Sequence, residues 1–289
     1  MEPRAYGPFP YSPITERPEL KWPGGARIAL WLAPNIEFFP LNEKVFMGAG
    51  LVPDVLAWSH REYGNRVGIW RIMETLDRYG IRATVALNSE VCDACPQIVA
   101  AGVERGWEFM GHNQSNSRPL NQIDPEREGE VIQATFDRIE KATGTRPRGW
   151  LSGGLIESWN SLDHLINAGC KYVCDWVVDD QPLVMDVDGR RLVSIPYSGE
   201  SNDFGAFMRW GWTPEQFSDL LRRQFDVLYR ESEASGRVMV ISVHGFLMGV
   251  AHRIGALETA LDHIMNHDEI WFATGGEIMD HFLASDAMS

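Results

Sequence analysis

Side chains that can move protons follow three of the segments that we predict to be strands. Glu37, His112 and His244 each come within a few residues of the end of a short apolar run. In parallel α/β folds, ligands bind at the carboxyl ends of the strands, so these three side chains would meet at one edge of the sheet. A carboxylate and two imidazoles in one pocket predict general acid–base catalysis. Each histidine taken alone is weak evidence, because a strand-end histidine is often structural.

Other side chains in the same predicted region are candidates for substrate binding. Asn116 lies in a polar stretch just after a strand, and Trp150 follows a glycine where an aromatic ring can form the floor of a pocket. Arg66 either contacts the substrate or pairs with an acidic residue as a strut. Asp179 and Asp180 either face the substrate or hold a loop closed.

The elements that would position these residues alternate between helix and strand. The run at 27–33 is almost wholly apolar and precedes Pro34, which predicts a buried strand. A helix is predicted from Asn65 to Gly80, and a hairpin at 184–195. Further strands are predicted at 83–87, 107–110, 172–176, 238–243 and 270–273. This alternation favours a parallel α/β fold.

Composition narrows the class of protein. The chain has 289 residues, of which 44% are hydrophobic and 23% charged, which predicts one large domain at 27–289 behind a proline-rich extended segment at 1–26. A net charge of −14 argues against binding to nucleic acid or to an anionic membrane. There is no apolar run of the ~20 residues that a membrane helix needs, and we find no apolar signal segment, so we expect a cytoplasmic protein.

Five short motifs occur in the order typical of a known family. They are Tyr63-Gly-Asn-Arg-Val-Gly-Ile-Trp-Arg71, Gly111-His112, Gly149-Trp150, Asp179-Asp180-Gln-Pro182 and His244-Gly245. This set resembles the polysaccharide deacetylase superfamily with its NodB-homology domain. Within it, the chain resembles the branch that holds metal-independent allantoinases, cyclic-imide hydrolases and peptidoglycan-deacetylase-like proteins. The resemblance implies a distorted (β/α) barrel with about seven parallel strands.

Two positions depart from the pattern of the metal-dependent members. Asn35-Ile36-Glu37-Phe38 stands where those members carry Thr-Phe-Asp-Asp, and Asn116 stands where they carry a second histidine. A firmly bound zinc needs three protein ligands, and an amide oxygen is a weak one. We therefore expect that no metal is required. The alternative is a weakly bound divalent ion such as zinc, held by Glu37, His112 and Asn116.

The resemblance also implies roles in hydrolysis of a carbon–nitrogen bond other than a peptide bond. Glu37 would be the general base, with a pKa raised by burial, and His244 would donate a proton to the leaving nitrogen. His112 and Asn116 would hold the carbonyl oxygen or the attacking water. In the alternative interpretation, Glu37 only caps a neighbouring turn.

The predicted substrate is a small cyclic amide, ureide or imide, because a site without a strong Lewis acid suits a strained ring better than an acetamide. One alternative is a metal-dependent N-deacetylase of an acetylated sugar. Another is a catalytically inactive barrel that binds such a molecule. The expected partners are a small-molecule substrate and further copies of the chain, as a homotetramer.

Overall fold

This computed structural model describes residues 5–288 of the chain. One curled sheet forms the centre of the fold. Its strands are β1 (Ile28–Ile36), β2 (Thr84–Leu87), β3 (Glu108–Gly111), β4 (Gly149–Trp150), β5 (Tyr172–Val173), β6 (Leu183–Val187), β7 (Arg190–Ser194), β8 (Arg237–His244) and β9 (Ile270–Phe272). They lie in the order β6-β7-β5-β4-β3-β2-β1-β8, and β9 pairs with β1. The domain boundaries predicted at 1 and 289 fall outside the described residues.

Most pairings in this sheet are parallel, as the alternation of elements predicts. The antiparallel pair is β6 with β7, which form the hairpin expected at 184–195. This hairpin extends the sheet, because β7 also pairs in parallel with β5. The curled and mostly parallel sheet forms a half-barrel, which confirms the α/β fold class.

Helices pack around the sheet. They are α1 (Val55–Tyr63), α2 (Ile69–Tyr79), α3 (Val91–Ala94), α4 (Pro96–Glu104), α5 (Glu128–Thr143), α6 (Ser161–Asn167), α7 (Pro214–Glu231), α8 (Ile254–Met265) and α9 (Gly275–Ala284). A capping box is present at the start of α7, where the side chains of Thr213 and Gln216 each accept a hydrogen bond from the other residue's backbone N–H. Gly80 ends α2 in the left-handed conformation that glycine favours.

Strand β1 is apolar on both faces because both faces are covered. Leu30 and Leu32 belong to the cluster that packs the sheet against α2, α7 and α8. Trp31 and Ala33 point the other way, into the interior of the half-barrel. Both sets are fully buried, which is the burial expected of a strand in the middle of an α/β sheet.

The same strand runs past Pro34, where the sequence predicts its end. Ile36 O accepts a hydrogen bond from Asn88 N on the β2 side, and Leu30 O accepts one from Ala273 N on the β9 side. Alternate residues of a parallel strand face the same neighbour, so Pro34 faces the side of β1 that pairs with β9 and β2. It lies between the residues of β1 that pair with β9 and those that pair with β2. Its missing N–H therefore costs no ladder hydrogen bond, and the strand delivers Glu37 directly to the carboxyl edge.

The helix predicted from Asn65 begins about ten residues earlier, at Val55. Asp54 caps it by accepting a hydrogen bond from Ala57 N. Between α1 and α2, residues 64–68 form a π-helical turn. A Cβ on Gly68 would lie only 1.9 Å from Gly245 O, so a glycine is required where this turn meets the loop after β8.

The proline-rich segment before β1 packs against its own chain. Leu20 and Trp22 are buried, and Arg17 forms a salt bridge with Asp179. Trp22 Nε1 donates a hydrogen bond to Arg237 O at the start of β8. Within residues 5–288, no helix has both the length and the apolar character needed to cross a membrane.

Candidate active site

Glu37 lies between two histidines at the carboxyl edge of the sheet. Its Oε1 is 3.5 Å from His112 Nε2 and 3.6 Å from His244 Nε2. Strands β1, β3 and β8 supply the three residues, each at or just beyond its carboxyl end. The side chains are almost completely buried. The structure thus brings together the three residues that the sequence proposes as catalytic, although their roles stay predictions.

Two asparagines fix the orientation of this cluster. Asn88 Oδ1 accepts hydrogen bonds from the backbone N–H of Phe38 (2.9 Å) and of Asn116 (3.1 Å), so its Nδ2 must point toward Asn116 Oδ1. The amide nitrogen of Asn116 is consequently turned toward the Glu37 carboxylate and toward His112 Nε2. His112 Nδ1 donates to Leu151 O at 2.6 Å, which leaves Nε2 as the nitrogen that accepts.

Asp203 holds His244 in place from the side opposite Glu37. Its Oδ1 is 2.6 Å from His244 Nδ1, while its Oδ2 accepts hydrogen bonds from the backbone N–H groups of His244 and Met248. The carboxylate therefore fixes both the imidazole ring and the loop that follows β8. His244 Nε2 is left facing Glu37 and the cavity beside it.

The charged groups of this cluster stabilise each other's charged forms. Burial lowers the pKa of His244, but the carboxylates of Asp203 and Glu37 outweigh it and raise that pKa to about 10. Burial raises the pKa of Glu37, but the charge of His244 and its hydrogen bond to Glu37 outweigh burial and hold the pKa of Glu37 well below its usual range. The expectation that burial leaves Glu37 with a raised pKa is therefore wrong, because it omits the neighbouring imidazolium. At neutral pH the pair is a carboxylate beside a protonated histidine.

A small cavity of about 90 Å³ opens beside these groups. Phe46 and Phe204 form one side, with ring centroids 6.0 Å apart in a stacked arrangement. The buried Arg61 on α1 holds the loop that carries Phe46, because its guanidinium donates to Phe46 O. Arg209 also lines the cavity, and its exposed guanidinium has no ion-pair partner among residues 5–288.

Two residues predicted to bind substrate do not line this cavity. Arg66 is exposed and pairs with Glu62 one helical turn away, so it is a surface ion pair. Trp150 is fully buried and donates a hydrogen bond from Nε1 to Ser152 Oγ. Asn116, in contrast, lines the cavity as expected.

The acidic residues near β5 hold loops and do not line the cavity. Asp179 binds Arg17 of the segment before β1, with contacts of 2.6 and 2.8 Å. Asp180 accepts a hydrogen bond from Val238 N through its backbone oxygen. Of the two interpretations that the sequence leaves open for this pair, the structure favours a role in holding the chain together.

Several residues of the site escape the sequence analysis. Asn88 directly follows β2, so the same strand-end rule that finds His112 would also have found it. Asp203, Phe204 and Arg209 lie in and around the π-helical turn at 205–209. No periodic pattern in the sequence predicts this turn.

Comparison with known proteins finds similarity to the polysaccharide deacetylases. Residues 62–173 match the family model described as polysaccharide deacetylase. A Schizosaccharomyces pombe protein assigned to the polysaccharide deacetylases is 29% identical, covering 89% of this chain and 90% of the yeast protein. The crystal structure of PuuE allantoinase is 26% identical with a TM-score of 0.86, covering 94% of this chain and 95% of the other. A probable polysaccharide deacetylase from Pseudomonas aeruginosa is 28% identical with a TM-score of 0.86, covering 94% and 96%.

The family match corrects the expectation about the cofactor. Polysaccharide deacetylases of this type are typically dependent on zinc or cobalt, so the expectation that no metal is required is wrong as a description of this family. Glu37 Oε1 and His112 Nε2 are ligand atoms of the right chemistry, and their separation of 3.5 Å is close to the ~3.4 Å between two ligands of one tetrahedral zinc. Asn116 turns its amide nitrogen toward them, and an amide nitrogen does not bind a metal. Two of the three proposed ligands therefore fit an ion in this conformation.

The order of the motifs, the half-barrel and these similarities agree with one another. The matched relatives and structures extend over about nine tenths of the chain, well beyond the segment that the family model matches. Residues 62–173 thus resemble polysaccharide deacetylases, and the half-barrel matches the NodB-type fold. The members of that family are hydrolytic enzymes.

Proposed function

We propose that this chain hydrolyses a carbon–nitrogen bond in a small cyclic amide, ureide or imide. The size of the cavity carries the proposal: about 90 Å³, closed on one side by Phe46 and Phe204, accommodates a small ring better than a length of polysaccharide. The similarity to PuuE allantoinase over nearly the whole chain supports the same class of substrate.

The protonated His244 is suited to deliver a proton to the leaving nitrogen. Its pKa of about 10 keeps it charged at neutral pH, and its Nε2 faces the cavity. Asp203 holds the ring by Nδ1, so the proton available for transfer is the one on Nε2. Without this donor, an amide nitrogen would leave as an anion, which is a poor leaving group.

Glu37 is suited to take a proton from the attacking water, and its basicity is linked to His244. While His244 is charged, it lowers the pKa of Glu37. Once His244 has given its proton to the leaving nitrogen, that charge is gone and Glu37 becomes a stronger base. The two proton transfers therefore assist each other in the forward direction. A divalent ion, when held by Glu37 and His112, would supply polarisation of the scissile carbonyl.

The test is a comparison of substrate classes with one purified preparation. Allantoin, hydantoin, succinimide and acetylated sugars are each incubated with the chain in the presence of zinc or cobalt and again after chelation. We expect ring opening, which is monitored by chromatography and NMR. Glu37→Gln is the inactive control. Acetate release without ring opening would instead support the alternative, an N-deacetylase of an acetylated sugar.

That alternative rests on the names of relatives. Besides the yeast protein, a peptidoglycan deacetylase of Helicobacter pylori is 21% identical over 76% of this chain and 85% of that protein. Absence of turnover on both classes, in a folded preparation loaded with metal, would contradict both proposals and leave a binding barrel.

A further inference from the structure

Three side chains with metal-binding atoms converge on the outer face of the half-barrel, away from the cavity. Asp226 lies on α7, His263 lies in the last turn of α8, and His267 follows just beyond that helix. One ligand atom from each lies within 4.8 Å of the other two. We propose that this trio, the α7–α8 site, binds a divalent transition metal ion of the zinc type.

The two histidines are presented together by their spacing. Residues four apart near a helix end lie on the same face, and the ring centroids of His263 and His267 are 5.1 Å apart. The rings of Phe225 and Tyr229 pack against them at centroid distances of 4.9 to 6.0 Å. This packing restricts the imidazole rings, so little side-chain entropy remains to be lost when a metal binds.

The hydrogen bonds leave one metal-binding atom available and pair the other two with each other. His267 Nδ1 is 3.0 Å from His263 O, and because a carbonyl only accepts, Nδ1 must carry the proton. The lone pair of His267 is therefore on Nε2, and metal-binding histidines typically donate their other N–H in this way. His263 Nε2 is 2.7 Å from Asp226 Oδ1, so a metal would displace the proton that these two atoms now share in a hydrogen bond.

The local charge also favours a cation. The carboxyl end of α8 carries the partial negative charge of the helix dipole, and Asp226 adds a full one. Two imidazoles and one carboxylate are a ligand set that zinc accepts, with a fourth position left to water. The side chain of Asp226 is half exposed, so an ion can reach the site from solvent.

A bound ion would join α7 to α8. Both helices pack against each other and against the core beside β8, the strand that ends at His244. An ion that binds the folded chain and not the unfolded chain raises stability in proportion to the logarithm of its concentration over its dissociation constant. The α7–α8 site would therefore stabilise the face of the barrel that supports the catalytic edge without taking part in catalysis.

Zinc-dependent melting tests this proposal. Chain stripped with chelator is titrated with zinc chloride, and we expect the melting temperature to rise by about 5 °C when zinc reaches about 100 times its dissociation constant. All variants are compared in a His112→Ala background, so that an ion at the catalytic edge does not contribute. Calorimetry on the same background should give one zinc per chain.

Three variants separate the site from general effects of zinc. The rise should be lost in the double variant His263→Ala/His267→Ala and in Asp226→Asn, which keeps the size of the side chain. His252→Ala, which removes an exposed histidine elsewhere, should retain it. Circular dichroism without zinc checks that each variant folds. An equal rise in the double variant, or no zinc bound in the parent, would overturn the proposal.

Discussion

At the scale of single residues, the pair of Glu37 and His244 makes the sharpest prediction. Glu37→Gln keeps the size of the side chain but removes both the base and the charge that helps keep His244 protonated. Loss of a general base typically costs a factor of ~100–10000, so we expect kcat to fall by that amount with an unchanged fold. Glu62→Gln is the matched control, because Glu62 pairs with Arg66 and does not line the cavity. Near wild-type turnover in Glu37→Gln would remove Glu37 from the mechanism.

Arg209 makes a second prediction at this scale. Its guanidinium lines the cavity and has no ion-pair partner within residues 5–288. A carbonyl or anionic oxygen of the substrate can therefore bind to it. A hydrogen bond to a charged group contributes ~1.5–3 kcal/mol, and exposure reduces it, so Arg209→Ala should raise KM about tenfold with a smaller change in kcat. Arg66→Ala is the control and should leave both constants unchanged. If KM stays constant in Arg209→Ala, the guanidinium does not contact the substrate.

How much of the site the sequence predicts depends on where each residue lies. Glu37, His112 and His244 can be found because strands are recognisable from their apolar runs and their carboxyl ends meet. Asp203 cannot be found in this way, since it lies in a segment between β7 and α7 that has no periodicity. Its role comes from a contact across 41 residues of chain, which only the folded structure brings together.

At the scale of elements, the ends of β4 and β5 are joined by an unusual pair of carboxyl groups. Asp175 accepts hydrogen bonds from both the backbone N–H and the hydroxyl of Ser152. Burial raises the pKa of Asp175, and these hydrogen bonds oppose that rise. Glu157 lies beside it, with one carboxyl oxygen buried and without a hydrogen-bond partner. Burial and the charge of Asp175 raise the pKa of Glu157 well above its usual value, so Glu157 is the partner that keeps a proton.

This pair makes stability depend on pH with a definite sign. Above the ordinary pKa of a glutamate, ~4.3, the folded chain holds a proton that the unfolded chain has lost, so stability falls as the pH rises. Glu157→Gln is neutral at every pH and avoids this loss. We expect its melting temperature to exceed that of the parent at pH 8 and the difference to shrink toward pH 4.5. A difference that is the same at both pH values would show that Glu157 does not titrate in this way.

The sequence predicts some helices and strands better than others, for physical reasons. Long periodic segments such as α7 can be recognised because burial of one face repeats every turn. Helix α1 was missed because most of its side chains lie on the surface, with Arg61 as its buried residue. Strand β1 continues through Pro34 because the edge that Pro34 faces carries no partner there, and the sequence of one strand does not reveal its neighbours.

At the scale of the whole molecule, the homotetramer stays a prediction. Leu20 and Trp22 of the proline-rich segment are buried in their own chain, so they are not available to cover a neighbour. Exposed apolar side chains are instead concentrated between Met47 and Leu56. Light scattering at micromolar concentration should give about 130 kDa, four times the chain mass of 32.6 kDa. A mass near 33 kDa would exclude any stable assembly.

The segment before β1 should stabilise the fold without affecting catalysis at the active site. Trp22 is buried, its ring lies 5.6 Å from Trp271, and it binds Arg237 at the first residue of β8. His244 is at the other end of that strand, roughly 23 Å away at ~3.3 Å per residue. Truncating a buried tryptophan costs ~3–5 kcal/mol, so Trp22→Ala should lower the melting temperature by about 10 °C.

Activity separates this structural role from a catalytic one. Well below the melting temperature, kcat and KM of Trp22→Ala should match those of the parent, because the eight residues of β8 lie between the substitution and the catalytic edge. Tyr11→Ala, which removes an exposed ring from the same segment, should change neither stability nor activity. If Trp22→Ala alters KM while the chain is fully folded, the strand transmits a displacement along its length, and the segment before β1 would then belong to the machinery that positions His244.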